Sequence, residues 1–166
     1  MAKYTLPCFG QLDTENLEEY YDTVIRYNNS EVSIDLNFCD TRVDPGRLEI
    51  AKKFIEQIGD FDLKNKQYIE QDYRDEDADT VREYVAHHLE ELGDDELDAL
   101  IDPSNKKLNK EEQLVKRLSL VRMGLYPDSD DQFAIFDYSI GPDITQYLVV
   151  LFTDEFGNLD YITMES

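Results

Sequence analysis

Three segments decide the fold of this chain: FAIFDYSI at Phe133–Ile140, YLVVLF at Tyr147–Phe152 and LDYITM at Leu159–Met164. Together with Val121–Leu125 they alternate or run apolar between short polar breaks, a pattern typical of consecutive antiparallel strands. The sequence therefore predicts a four-stranded C-terminal meander. Tyr147–Phe152 is apolar on both faces, which predicts an interior strand covered by helices on one side and by further chain on the other.

A second strand pattern lies near the N-terminus. Apolar and polar residues alternate from Val32 to Phe38, and residues 21 to 27 alternate in the same way before Asn28-Asn29-Ser30. Two alternating runs joined by asparagine residues indicate a β-hairpin with one buried face.

The residues between the two strand regions carry helix signals. Asp44-Pro45 is typical of a helix start, and the apolar stripe that follows predicts a helix over 45–58 that ends at Gly59. Periodicity predicts further helices over the ranges 61–73, 80–92, 95–101 and 110–117, with Thr80 as a cap and Gly93 as a stop. We therefore expect one α+β domain over 1–166, in which an antiparallel sheet, made of the N-terminal hairpin and the four-stranded meander, packs against about four to five central helices.

The charge of the chain limits its partners. Sixteen basic and 38 acidic residues leave a net charge of −22, far above the magnitude of about 2 to 8 suited to a small domain. Such a field repels phosphate backbones and anionic lipids. We expect no nucleic acid and no membrane as partner. The first residues lack the apolar core of a signal peptide, so a cytoplasmic location is expected.

Two cysteines, Cys8 and Cys39, follow apolar strand-like segments. Their spacing matches no redox or zinc motif. In a reducing compartment we expect two free, half-buried thiols, and the sequence leaves open whether they lie close together.

Catalytic signatures are few. The sequence contains no phosphate-binding glycine loop, no nucleophile elbow and no zinc-protease motif. We predict no catalytic residue and no cofactor, and an enzyme with an unrecognised site remains the alternative, together with a purely structural subunit. His88 continues the apolar stripe of Val81, Tyr84 and Val85, so we expect it to pack inward while its neighbour His87 faces solvent.

One weak metal candidate lies on the same predicted helix. Glu83, His87 and Glu90 occupy one helical face at spacings that bring their side chains together. Zinc favours further nitrogen or sulfur ligands, and a histidine between two glutamates on an acidic helix is more often solvated surface. No metal is predicted.

The acidic helices suggest a partner. Residues 60–102 contain sixteen acidic and four basic residues, and carboxylates on successive helical turns lie about 5 to 6 Å apart, close to the spacing of phosphates. We predict a non-enzymatic module, immunity-like or inhibitor-like, that binds a basic protein through this acidic helical face. Asp94, Asp95 and Asp98 are predicted to contact the partner. The oligomeric state is left open.

Three stretches, Leu6–Asp13, Gly124–Gly141 and Leu159–Ser166, carry a resemblance that extends over the whole chain. With them the chain resembles a family of small uncharacterised bacterial proteins catalogued as a domain of unknown function. The resemblance implies a bacterial, cytoplasmic origin, and it implies no activity or site residue.

Overall fold

A computed structural model describes residues 2–166, so Met1 of the predicted domain lies outside the described residues. These residues form eight strands: β1 (Lys3–Leu6), β2 (Gly10–Asp13), β3 (Tyr20–Tyr27), β4 (Ser30–Asn37), β5 (Ser119–Leu125), β6 (Ala134–Ser139), β7 (Leu148–Thr153) and β8 (Leu159–Glu165). Five helices lie between β4 and β5: α1 (Pro45–Glu56), α2 (Ile58–Arg74), α3 (Thr80–Glu91), α4 (Asp94–Leu100) and α5 (Lys110–Arg117). The protein is α+β, as predicted.

The main sheet has six strands in the order β3-β4-β5-β6-β7-β8. The prediction of a wholly antiparallel sheet is wrong, because β4 and β5 run parallel, with Ile34 opposite Met123. The hairpin and the meander thus form one mixed sheet. Parallel neighbours need a long crossover, and the five helices between β4 and β5 provide it.

The hairpin turn follows from its asparagines. Asn28 and Asn29 have φ angles of 51° and 63°, in the left-handed region that asparagine tolerates better than most residues. Two such residues make the turn that best matches the twist of paired strands. Tyr27 and Ser30 close the ladder on either side.

The helix starts agree with the sequence more closely than the helix ends. Asp44 caps α1, where its side chain accepts a hydrogen bond from the amide of Gly46 at 3.0 Å. Gly59 does not end a helix, because α1 stops at Glu56 and α2 begins at Ile58. Thr80 is the first residue of α3 rather than its cap. Gly93 directly follows Leu92, the C-cap of α3, as expected for a helix stop, and it is also the N-cap of α4.

One hydrophobic core joins the helices to one face of the sheet. Phe54 of α1 is its centre. Its ring stacks on Phe61 of α2 at 4.0 Å between centroids and on Phe133 at 5.3 Å, and it contacts Phe136 of β6 at 6.2 Å. These aromatic contacts fix α1 and α2 against the sheet.

A small hairpin that the sequence did not predict, β1 with β2, lies beside α1. Its Leu6 and Leu12 are buried in the main core. Cys8 lies in its turn, and both Cys8 and Cys39 are free and exposed. The expectation of half-buried thiols is therefore wrong, because both residues fall just after the strands whose burial they were expected to share.

The opposite face of the six-stranded sheet, here called the open face, points to solvent. Successive strand residues alternate between faces, so the open face carries the residues of β3 that do not enter the core. Tyr20 and Val24 are 52% and 58% exposed, and Tyr161 of β8 is 43% exposed. These exposed side chains lie on the two edge strands of the sheet, β3 and β8.

Candidate functional site on the open sheet face

Two rows of side chains cross the open face from β3 to β8, as fixed by the strand register. The first row is Val24, Ser33, Arg122, Asp137, Val150 and Thr163. The second row is Asp22, Asp35, Gly124, Ile135, Phe152 and Tyr161. Asp35, Arg122 and Asp137 thus lie side by side on β4, β5 and β6. Ile135, Val150, Phe152 and Tyr161 form an adjoining apolar area on β6 to β8.

Arg122 is the centre of the charged part. Its Nε and Nη2 atoms donate to the two carboxylate oxygens of Asp35 at 2.7 and 3.0 Å, and Nη2 also contacts the hydroxyl of Tyr126 at 3.2 Å. Asn37 donates to the same carboxylate at 2.6 Å. A bidentate pair of this kind fixes the orientation of the guanidinium group.

Gly124 makes room for this arrangement. A Cβ atom at position 124 would overlap the guanidinium of Arg122 and lie 3.0 Å from a carboxylate oxygen of Asp35. The arginine side chain therefore lies across the glycine, and a side chain at this position would displace it.

The ion pair keeps Arg122 charged. Burial opposes its charge, but the hydrogen bonds with Asp35 and Tyr126 outweigh burial and raise the pKa of Arg122. Asp35 is 1% exposed, so its carboxylate has little access to any other cation.

Asp137 has fewer polar contacts than Asp35. It is 8% exposed, yet its side chain has only one polar contact among residues 2–166, with Nη1 of Arg122 at 3.4 Å. Burial raises the pKa of Asp137, Arg122 opposes this, and the negative charges of Glu165 and Asp35 add to it. This carboxylate is thus buried beside a cation that is already committed to Asp35, a typical property of functional sites.

An open cavity of about 340 Å³ lies next to Asp137. Its apolar wall is formed by Ile135, Leu148, Val150 and Phe152, and its polar rim by Arg122, Asp137 and Glu165. The ring of Phe152 stacks on Tyr161 at 4.3 Å between centroids, which extends the apolar wall onto the exposed edge of the face. The cavity has the size of a small binding site.

Asp62 on α2 provides a contrast within the same protein. This buried carboxylate accepts hydrogen bonds from the hydroxyls of Tyr27 at 2.8 Å and Tyr138 at 2.6 Å, and Lys66 lies 3.4 Å away. Its oxygens are fully used in joining α2 to the sheet. Asp62 is therefore a structural group, whereas Asp137 retains capacity for a further partner.

A second cavity, of about 410 Å³, lies between residues 42–47 and 127–130. Two arginines, Arg42 and Arg47, line it. Arg47 is engaged by the fold: it donates to the carbonyl of Pro127 at 2.7 Å, pairs with Glu155 and lies over the ring of Phe133 at 5.0 Å. These contacts tie α1 to two loops.

The two histidines lie on the helix-covered side, away from the open face. His88 is buried, with Nδ1 2.7 Å from the carbonyl of Tyr84 and Nε2 2.8 Å from the hydroxyl of Thr145. The expected inward packing of His88 is therefore present. His87 is only partly exposed, because the ring of Tyr147 packs against it at 4.6 Å between centroids.

The remaining predicted site residues are found on α3 and α4. In the described part of the chain, no three His, Cys, Asp or Glu side chains are grouped so that they could hold a metal ion, and this includes Glu83, His87 and Glu90. Asp94, Asp95 and Asp98 are all exposed on α4. They lie in its first five residues, and the helix has no buried residue of its own.

One strand of the open-face site carries a clear sequence pattern, but that pattern predicted a different environment. Tyr147–Phe152 was predicted to be covered by further chain on its second side. Instead, Leu148, Val150 and Phe152 line the cavity. The sequence signal that could have indicated this site is an acid between two aromatic residues, Phe136-Asp137-Tyr138, next to a strand that is apolar on both faces.

Comparison with known proteins places no further constraint on the site, since no family model, no curated protein and no solved structure matches the chain. Within residues 2–166, none of the helices is both long and apolar enough to cross a membrane.

Proposed function

We propose that the protein is a non-enzymatic protein-binding module that captures a basic protein partner, in the manner of an immunity protein or inhibitor. The observation that carries this proposal is the open face of the sheet, where exposed aromatic side chains border carboxylates and an apolar cavity. Tyrosine, phenylalanine and arginine side chains are enriched at protein interfaces, and this face presents Tyr161, Phe152 and Arg122 together around the cavity.

The net charge of −22 supports a basic partner. A partner of opposite charge is attracted over distances comparable with the Debye length, about 8 Å at physiological salt. We assign this attraction to the exposed acids of α3 and α4, including Asp94, Asp95 and Asp98, and we assign the direct contact to the open face. Steering and docking are then separate properties of two surfaces.

Capture from an extract of the native host tests the proposal. The bait is wild-type protein, compared with a variant that carries Tyr20→Ala and Tyr161→Ala on the open face. Both residues are about half exposed, so the fold is expected to persist. A matched control carries Leu63→Ala on α2, where Leu63 is 61% exposed.

The expected result is a basic protein that the wild type and the Leu63 control retain and the tyrosine variant loses. Purified partner and bait must then form a complex of defined stoichiometry. Equal capture by all three baits would contradict docking on the open face, and the absence of any specifically retained basic protein would contradict the proposed function.

An enzyme is the second candidate, favoured by one observation: burial raises the pKa of Asp137, which faces a cavity. The other groups around that cavity are Arg122, Glu165 and apolar side chains. A turnover that Asp137→Asn abolishes, in the absence of any protein partner, would favour this alternative.

A further inference from the structure

We infer that the cavity beside Asp137 receives a lysine or arginine side chain of the basic protein partner, with the alkyl part against the apolar wall and the cationic group on the carboxylates of Asp137 and Glu165. This inference rests on the proposed function and identifies the contact that anchors the partner.

The first argument concerns charge. Arg122 has Nε and Nη2 committed to Asp35 at 2.7 and 3.0 Å, whereas the distance from its Nη1 to Asp137 is 3.4 Å. Asp137 is therefore a buried carboxylate with an incomplete counter-charge. Glu165 adds a second negative charge on the rim of the same cavity. A cation is the ligand that compensates both groups, and an anion is repelled.

The second argument concerns shape. The register places Asp137 beside Val150 and Glu165 opposite Leu148 on adjacent strands. The carboxylates therefore border an apolar wall, which continues through Phe152. A bare metal ion or ammonium ion would leave this wall uncovered. A lysine or arginine side chain combines an aliphatic stem with a cationic end, and so fits both parts of the cavity.

The third argument concerns the source of the cation. A second copy of this chain would bring another −22 charge to the same face, which opposes self-association through it. Arginine on the opposing protein also stacks well on aromatic rings, and Phe152 and Tyr161 present a stacked pair at the margin of the cavity. A basic protein partner is therefore the occupant that the charges favour.

N-acetyl-arginine amide is the probe for this site, and N-acetyl-citrulline amide is its neutral control of almost the same shape. Both are titrated into ¹⁵N-labelled protein at constant ionic strength, and backbone amide shifts are followed by NMR. The arginine probe is expected to bind with a dissociation constant on the order of 1 mM, because a single side chain provides few contacts. Saturable shifts are expected at Asp137, Val150 and Glu165.

Two variants test the role of the carboxylates. Asp137→Asn and Glu165→Gln are each expected to weaken the arginine probe by at least about tenfold, because each removes one partner of a charged contact. Glu56→Gln at the end of α1 removes one exposed carboxylate that belongs neither to the open face nor to the acidic helices, and it is expected to leave probe binding unchanged. Retained dispersion of the amide spectrum confirms that each variant is folded.

Four outcomes would overturn the inference. These are equal binding of the arginine and citrulline probes, no saturable shift with either probe, shifts confined to the acidic helices, and shifts at the same amides that depend on protein concentration without any probe. The last would show that a second copy occupies the face. None of them depends on finding the partner, so they are distinct from failure of the proposed function. If a partner is captured equally well by wild type and Asp137→Asn, the proposed function stands and the anchor is wrong.

Discussion

Arg122 and Asp35, on neighbouring parallel strands, form a two-point ion pair across the open face, with Nε and Nη2 of the arginine 2.7 and 3.0 Å from the two carboxylate oxygens. Asp137 lies on the other side of Arg122, and its negative charge is balanced less completely by the arginine than that of Asp35 is. The predictions below separate what these groups do for the fold from what they do for a partner.

The first prediction concerns Gly124. Gly124→Ala places a Cβ on the guanidinium of Arg122, so the ion pair with Asp35 must break or shift and the free energy of unfolding should fall. Gly59→Ala is the matched control. Gly59 lies in α2, and a Cβ there would have Tyr27 as its nearest neighbour at 3.7 Å. Because Gly59 lies in the first turn of α2, where helix propensity counts less than in the interior, this control should raise the free energy of unfolding only slightly, by at most about 0.5 kcal/mol. Chemical denaturation should show a lower free energy of unfolding for Gly124→Ala and a higher one for Gly59→Ala.

The second prediction contrasts two aspartates. Asp35→Asn removes the main partner of a half-buried arginine and should lower the free energy of unfolding by roughly 3 kcal/mol, the lower end for such pairs because 30% of the Arg122 side chain is exposed. Asp137→Asn should leave the thermal midpoint at pH 7 unchanged or higher. Burial raises the pKa of Asp137, so the folded state disfavours the charged form, and stability from this group is lost as pH rises through the folded pKa. A large drop for Asp137→Asn at pH 7 would contradict this assignment.

The third prediction concerns acid sensitivity. The Tyr84 carbonyl can only accept, so Nδ1 of His88 carries the proton and Nε2 accepts from the hydroxyl of Thr145. Burial lowers the pKa of His88. The unfolded chain therefore takes up this proton first, and stability is lost as pH falls below about 6.5 toward the lower folded pKa.

Urea denaturation at pH 7.5 and 5.5 measures this loss. His88→Gln should be less stable at pH 7.5 but should show a smaller further loss at pH 5.5 than the wild type, because its titrating group is gone. His87→Gln is the comparison at the neighbouring position. The charge of His87 contributes less than burial to lowering the pKa of His88, so this variant should keep most of the wild-type dependence. Identical pH dependence in all three proteins would remove His88 as the cause.

The fourth prediction tests the interior strand. Val149 on β7 is fully buried, and Val149→Asp would place an unpaired carboxylate in the core at a cost of several kcal/mol. Since domains of this size have only about 5 to 15 kcal/mol of stability, the variant is expected to be largely unfolded or insoluble. Val24→Asp introduces the same change at a position 58% exposed on β3, and it should remain folded by circular dichroism. A soluble Val149→Asp protein with the wild-type thermal midpoint would contradict the core position.

The elements that the sequence predicted well are those with local causes. Asp44-Pro45 and the paired asparagines at 28 and 29 act through their own backbone, so α1 and the hairpin could be recognised from a few residues. The parallel contact of β4 with β5 could not, because the hydrophobic alternation of a strand does not depend on the direction of its neighbour.

The site was harder to predict for the same reason. Asp35 and Arg122 are 87 residues apart, and Asp35 is one of several polar residues in an alternating strand. Only the sheet order brings it beside Arg122. Burial of Asp137 likewise depends on side chains from β5 and β7, its neighbours in the sheet. The acidic helices, by contrast, are visible in composition alone, because sixteen of the residues between 60 and 102 are acidic.

The last prediction separates steering from docking. Once a partner is purified, Asp94→Lys with Asp95→Lys and Asp98→Lys should slow association, because these exposed acids contribute to the long-range field. Dissociation should change little, since we propose that the direct contact lies on the open face. Tyr161→Ala should do the reverse and mainly accelerate dissociation.

Stopped-flow or surface plasmon resonance measures both rates. The salt concentration is varied between 0.01 and 0.15 M, over which the Debye length falls from about 30 to about 8 Å. The wild-type association rate should fall steeply with salt, and that of the α4 variant less steeply. If reversal of the three aspartates instead accelerates dissociation as strongly as Tyr161→Ala does, α4 is part of the contact surface and the division between two surfaces is wrong.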